Sequence, residues 1–386
     1  MSASKERIGA RIRALQTRMS EADLDWFVIT NRDSIYYFTG AENYIERVFG
    51  RPTILLVPRE GGSRIFAPFG DCPMIEAMST VGKIIPFRDT HEGSWSRLLL
   101  DELAHRRGGR IGIEAAYDPL VVSVLVSEFG RAALIEACDM IDDLRLIKDA
   151  SEIDTLRKGG IVAQAMMRAC REALLEGVPE YEVSLAAINA GTRAAAAFLT
   201  DQGPGRLASP MIQGLQVFKT GDTTVLGHCR PTVRRIKAGE PVAVCLCGMI
   251  SFGNMKLGMD RPFIIGHMTS EQERVCETAL ASQKHALEAV KPGARAEDIH
   301  RAATQVVLDA GYGISSRTGR GLGHSHFEKP QLIDEDKTLL RPGMVIVVDG
   351  NVKVPGCGVQ FGDSVVVTDS GFEPLTSFST EVLVPL

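Results

Sequence analysis

Several charged or reactive side chains stand in this chain where the surrounding sequence makes them hard to ignore. Asp349 ends the apolar run Met344-Val345-Ile346-Val347-Val348. A carboxylate there is costly unless it is paired, so either a working site or a strand-end turn before Gly350 must account for it. Asp260 precedes Arg261, and a local ion pair is the plain alternative to a site role. Arg320 lies in Arg317-Thr318-Gly319-Arg320-Gly321-Leu322-Gly323, whose glycines permit close backbone approach. Arg320 and Arg51 both carry the planar fork that fits a carboxylate. His228, in His228-Cys229-Arg230-Pro231-Thr232, is either a hydrogen-bonded loop histidine or an imidazole that takes and returns a proton near neutral pH. Two carboxylates could hold a planar guanidinium or amidinium by charge-assisted hydrogen bonds, while one imidazole activates water and then protonates the leaving nitrogen.

Other constellations are weaker. His324-Ser325-His326 would put two imidazoles on one face if extended, with Glu328 nearby, but a metal would want a third well-placed ligand. The glycine-rich segment lacks the Lys-Ser/Thr ending of a phosphate loop. No Gly-x-Ser-x-Gly nucleophile elbow occurs. Cys245-Leu246-Cys247 would place two sulfurs on one face of a strand, which is too few soft ligands for zinc; buried small hydrophobes are the plain reading.

The elements that must position these residues divide at about residue 145. The first part predicts a helix over 7–21, with Ile8, Ile12, Leu15 and Met19 at helical spacing. Apolar stretches follow at 26–30, 53–57, 63–67, 83–86 and 110–114, separated by turns, which suggests an α/β domain over residues 1–145. After the junction at 142–148, Ser151-Glu152-Ile153-Asp154 reads as a capping-box start. Further helices are expected at 180–197, 271–290 and 296–310, with strands near 213–219, 241–252, 261–265, 343–349 and 363–368. Helices over an antiparallel sheet make residues 146–386 an α+β domain.

Composition bounds the function. A chain of 386 residues exceeds what one core usually fills, which favours two domains. A net charge of −5 offers no basic field for nucleic acid or anionic lipid, so neither is an expected partner. The first residues carry no apolar run behind their charges, and no stretch of 18 apolar residues appears, so neither a secretory signal nor a membrane span is expected. Eight scattered cysteines suit reduced thiols and a cytoplasmic location better than a disulfide framework.

The segment 317–323, read with Asp349-Gly350 and Gln360-Phe361-Gly362-Asp363, resembles the C-terminal half of the pita-bread hydrolases: methionine and Xaa-Pro aminopeptidases, prolidase and creatinase. The resemblance implies a pita-bread catalytic domain behind a smaller creatinase-type N-terminal α/β domain. The metallopeptidases of that family bind two divalent ions through two aspartates, a histidine and two glutamates. Their places fall here on Cys245, on Gly258 (or Lys256), and on Arg320, Asp349 and Gly362, so one oxygen ligand in five survives. Several carboxylates are needed to offset two hard cations, and a central arginine would repel them. The resemblance therefore implies the metal-free branch typified by creatinase, with no metal and no cofactor.

Within that branch, His228 takes the place of the acid/base histidine, and Asp260 and Asp349 the places of the glutamates that hold the guanidinium. Phe49-Gly50-Arg51-Pro52 matches a Phe-Gly-Arg-Pro whose Phe and Arg reach the neighbouring subunit's site and hold the substrate carboxylate. A homodimer with a shared site is thus implied, with Arg320, His324 and His326 as further substrate-lining candidates. The expected activity is hydrolysis of a C–N bond in a small, carboxylate-bearing guanidine or amidine. Ectoine-type cyclic amidine hydrolysis, Xaa-Pro dipeptide cleavage with an altered metal site, and ligand binding without catalysis stay open.

Overall fold

The computed structural model describes residues 5–42, 51–80, 82–104, 109–115, 117–212, 217–246 and 250–385. The chain forms two compact units, residues 1–145 together with 201–208, and residues 146–200 together with 209–386.

Among the described residues of the first unit, six α-helices surround six strands. In chain order they are α1 (Lys5–Glu21), β1 (Trp26–Ile29), α2 (Arg32–Thr39), β2 (Ile54–Pro58), β3 (Arg64–Pro68), α3 (Cys72–Met78), β4 (Lys83–Phe87), α4 (Trp95–Leu103), β5 (Ile111–Ile113), α5 (Pro119–Phe129), β6 (Leu134–Glu136) and α6 (Cys138–Arg145). One mixed sheet runs β4-β3-β2-β1-β5-β6. Alternate strand residues feed two cores: Phe27, Leu55 and Ile65 pack with α1 and α2, while Val28, Leu56 and Phe66 pack with α4 and α5. This is the two-faced burial of a sheet covered by helices on both sides.

The second unit opens with α7 (Ala150–Ala173) and α8 (Glu180–Ala196). The expected capping box is real but sits two residues earlier. Asp149, not Ser151, is the cap: its side chain accepts from Glu152 N, and Glu152 accepts from the Asp149 N–H at 2.8 Å. Next come β7 (Val217–Thr220), β8 (Pro241–Cys245), β9 (Ile250–Phe252), β10 (Met255–Leu257), β11 (Met259–Ile265), α9 (Ser270–Ala289) and α10 (Ala296–Asp309). The chain ends with β12 (Gly319–Gly321), β13 (Glu328–Gln331), β14 (Val345–Val354), β15 (Cys357–Val367), β16 (Phe372–Pro374) and β17 (Leu383–Val384).

The main sheet of this unit runs β13-β12-β14-β15-β11-β8-β7, with β16 on β15 and β17 on β11. Along β14, Val345 and Val347 join the core built with α7 and α8, whereas Ile346 and Val348 join the core built with α9 and α10. That period of two fixes the face on which Asp349 stands, the face of Val345 and Val347. The fold is the two-domain α+β architecture expected from the sequence. Among the described residues no helix is long and apolar enough to cross a membrane.

Candidate active site

Four strands of the second unit place one residue each in a single row. Cys245 on β8 pairs with Asp260 on β11, Asp260 with Gly362 on β15, and Gly362 with Asp349 on β14. Directly paired residues of antiparallel strands project to one face. The row therefore sets a thiol and two carboxyls side by side, with a glycine between the carboxyls. Any side chain at Gly362 would collide with them: a Cβ there would overlap Asp260 Oδ2 and Asp349 Oδ1. The absent side chain is what lets the two acids face each other.

Both acids are buried, Asp260 1% and Asp349 6% exposed. Burial lifts the Asp349 carboxyl to about 8, helped by the negative charge of Asp260 and opposed by Arg320 and Arg317. Asp260 is lifted too, again chiefly by burial, against hydrogen bonds from Cys245 and Gln360 and the charges of Arg320 and Arg261. Two such neighbours cannot both ionise cheaply, so the pair keeps a proton at neutral pH. Asp349 Oδ1 has no hydrogen-bond partner among the described residues.

The other face of the same strands is the anchor. Asp363 points away from the row and accepts from Arg261 at 3.0 Å, Gln283 of α9 at 3.1 Å and Thr376 at 3.1 Å. This buried ion pair locks β11 to β15 next to Asp260 and Gly362. The structure thus gives Arg261 to Asp363 and to backbone carbonyls, among them that of Asp260 at 2.7 Å.

Arg320, 7% exposed, is held by the His326 carbonyl at 2.7 Å, and its guanidinium lies 4.4 Å from the centre of the exposed Phe327 ring. Arg317 lies over the same ring at 4.9 Å. Both charges act on Asp349, and that of Arg320 on Asp260 as well. His324 is buried and pairs through Nε2 with Glu152 at 3.0 Å, which ties the loop after β12 to the start of α7. The 324–326 segment bends instead of extending, so the two imidazoles do not share a strand face. Beside them Lys148 and Glu328 form a buried pair at 2.6 Å. Gly323 has a φ of +140°, and a Cβ there would run into the Lys148 side chain.

His228 stands exposed on the loop after β7. That loop is tied to β7 by Phe218 N to the Cys229 carbonyl at 2.9 Å and by Lys219 Nζ to the Leu226 carbonyl at 3.0 Å. Arg51 belongs to the first unit, where it forms an exposed ion pair with Asp89. Phe49 lies outside the described residues. Within the second unit the structure gathers Asp260, Asp349 and Arg320, leaves His228 on the exposed loop, and gives His324 to Glu152.

Sequence reasoning missed Lys219 and Gln360. Both are polar residues at alternating positions of apolar strands, and that parity was the available signal. Lys219 lies on the row's face, two residues from Val217, the β7 partner of Cys245. Burial lowers its pKa, as does Lys353, while the charges of Cys245, Asp260 and Cys229 oppose the shift.

The chain matches the model of Metallopeptidase family M24 over residues 154–369, more than half its length. It belongs to that family. Residues 11–147 match the Creatinase/Prolidase N-terminal domain. The chain is 28% identical to agropine synthesis cyclase of Rhizobium rhizogenes, over 98% of this chain and 97% of that one. It is 29% identical to an uncharacterised peptidase of Staphylococcus aureus strain USA300, over 93% and 95% of the two chains. In fold it resembles a prolidase from Thermococcus sibiricus, with a TM-score of 0.86 at 22% identity, and dipeptidase PepE from Mycobacterium ulcerans, with 0.84 at 22%, each over the full length of both chains.

Metallopeptidases of this fold hold divalent cations, and the donor set of the M24 member described here does not fit them. Gly362 offers no side chain, Gly258 offers none either, and Lys256 spends its ammonium on the His324 carbonyl at 2.6 Å. Arg320 brings positive charge to the two acids. Among the described residues no three His, Cys, Asp or Glu side chains converge as a metal requires.

Proposed function

We propose that this M24 member hydrolyses a C–N bond in a small, carboxylate-bearing amidine or guanidine without a metal ion. The observation that carries this reading is the buried Asp260–Asp349 pair, facing across Gly362 with Arg320 alongside. Two in-plane acceptors close together match an amidinium, whose positive charge draws the shared proton off the pair. The proton that His228 takes from water is then available for the leaving nitrogen. The guanidinium of Arg320 supplies a counter-charge for a substrate carboxylate. His228, on the loop that follows β7, is the base that activates water from the solvent side. A homodimer in which Arg51 and Phe49 complete a partner's site belongs to the same proposal; Arg51 would exchange Asp89 for the substrate carboxylate.

A second reading follows from one comparison. The relative matched along nearly its whole length is named a cyclase, and ring closure is the reverse of ring-opening hydrolysis. That name favours, as the second reading, a cyclic amidine such as ectoine over an open-chain guanidine such as creatine.

The test is incubation of chelator-treated protein with ectoine, creatine and Xaa-Pro dipeptides, read by mass spectrometry. Turnover of an amidine or guanidine without metal is the expected result, with losses of about 10²–10⁴-fold in Asp260→Asn and Asp349→Asn. Dipeptide cleavage restored by Mn²⁺ would overturn it.

A further inference from the structure

We propose that Cys245 is the nucleophile of this site, attacking the carbon of the cation that Asp260 and Asp349 hold. The inference rests on the amidine reading above and replaces direct attack by water with a covalent first step. Cys245 is the last residue of β8, half-buried and level with Asp260 in the row. Its thiol donates to the Asp260 carboxylate, which is therefore placed to accept the proton. Lys219 supplies a cation on the same face, near enough for its charge to act on both Cys245 and Asp260. A base and a cation beside a thiol are what thiolate formation requires. The contrast with other cysteines is physical: burial in apolar surroundings pushes Cys170 and Cys276 up to about 12, which keeps them inert.

An independent observation shows that the row is built for an occupant. Asp349 is more than nine-tenths buried, and its Oδ1, turned toward Gly362, has no hydrogen-bond partner among the described residues. A planar cation there would meet both acids and present its carbon to the adjoining sulfur.

The step balances without any oxidant or reductant. The thiol proton passes to Asp260, the sulfur pair forms an S–C bond, and the C=N π pair moves onto nitrogen. Collapse breaks the C–N bond to the leaving amine, which takes its proton from the acid pair, and leaves a thioimidate on Cys245. Water adds to that carbon, the S–C bond breaks, and the thiol is restored. The product is an amide, or urea from a guanidine.

Wild-type protein treated with 2-chloroacetamidine or its neutral isostere 2-chloroacetamide, then mapped by peptide mass spectrometry, tests this directly. Cys245 should be alkylated about ten-fold faster by the cation, with no such preference at Cys229. Equal rates at Cys245 overturn the proposal. Turnover separates it from the reading on which it rests. If wild type and Cys245→Ala hydrolyse an amidine within ten-fold of each other, the nucleophile is wrong and the amidine reading survives. If wild type hydrolyses no amidine while Cys245 keeps its preference for the cation, the substrate reading falls and a nucleophile beside a cation site stands.

Discussion

Asp349 carries the most unusual burden of any single residue here. Its carboxyl titrates near 8 in the folded chain and near 4 in an unfolded one. The folded state thus binds this proton more tightly, so the stability linked to it is complete below pH ~4 and drains away as pH rises to ~8. Asp349→Asn, which never ionises, should gain stability over wild type across that window. The difference in melting temperature should grow from pH 5 to pH 8 and level off above. A flat difference across that range would show that the acid is ionised in the native protein. The same proton governs binding. A cationic ligand needs the pair ionised, so affinity for an amidine should strengthen as pH rises toward 8 and then plateau. Calorimetry in buffers of different ionisation enthalpy should show about one proton released per ligand at pH 7. Proton uptake would reverse the assignment.

At the scale of elements, the loop after β12 is fastened by buried charges as well as by Leu322 in the apolar core. Lys148 and Glu328 pair at 2.6 Å with their side chains almost wholly buried. Removing one partner strands the other, so Glu328→Ala should lower unfolding free energy by about 3–5 kcal/mol in urea titrations, whereas a Lys148→Met/Glu328→Met pair should recover most of it. The same elements show what the sequence could and could not reveal. Asp349 stood out because a carboxylate at the end of an apolar run breaks the local pattern, whereas Asp260 drew notice through the family resemblance. The start of α7 was not, because Asp149 and Ser151 each precede an acid by three residues. Asp149 wins because Glu152 both caps the helix and meets His324, a partner 172 positions later in the chain. For the same reason His324 read as substrate-lining: no local feature announces Glu152. The strands β12 and β13 were hidden by glycines and a proline, which carry little strand propensity, and pairing with β14 and with each other defines them. His228 came from the family resemblance alone, and its exposed loop offers no physical signal of its own.

For the whole molecule, the question is how an M24 scaffold can operate once its ligands are gone. In the metallopeptidases two cations hold carboxylates together, and on the proposed metal-free reading the same sheet must keep Asp260 and Asp349 close without them. Three features offset the repulsion: a proton held on the pair, the nearby guanidinium groups of Arg320 and Arg317, and the Arg261–Asp363 anchor behind the row. Restoring one lost ligand should therefore not restore a metal. Arg320→His returns the family's histidine, yet Gly362 and Gly258 still supply no oxygen and Cys245 only a soft sulfur, so hard cations remain under-coordinated. Elemental analysis of purified Arg320→His after dialysis against Mn²⁺ or Zn²⁺ should show well under one ion per chain. Removing the guanidinium should also let the acid pair hold its proton more tightly, since Arg320 lowers both carboxyls. The pH at which amidine affinity saturates should accordingly move upward in Arg320→His. Stoichiometric metal, or an unmoved pH midpoint, would mean that Arg320 does not govern the charge of this site.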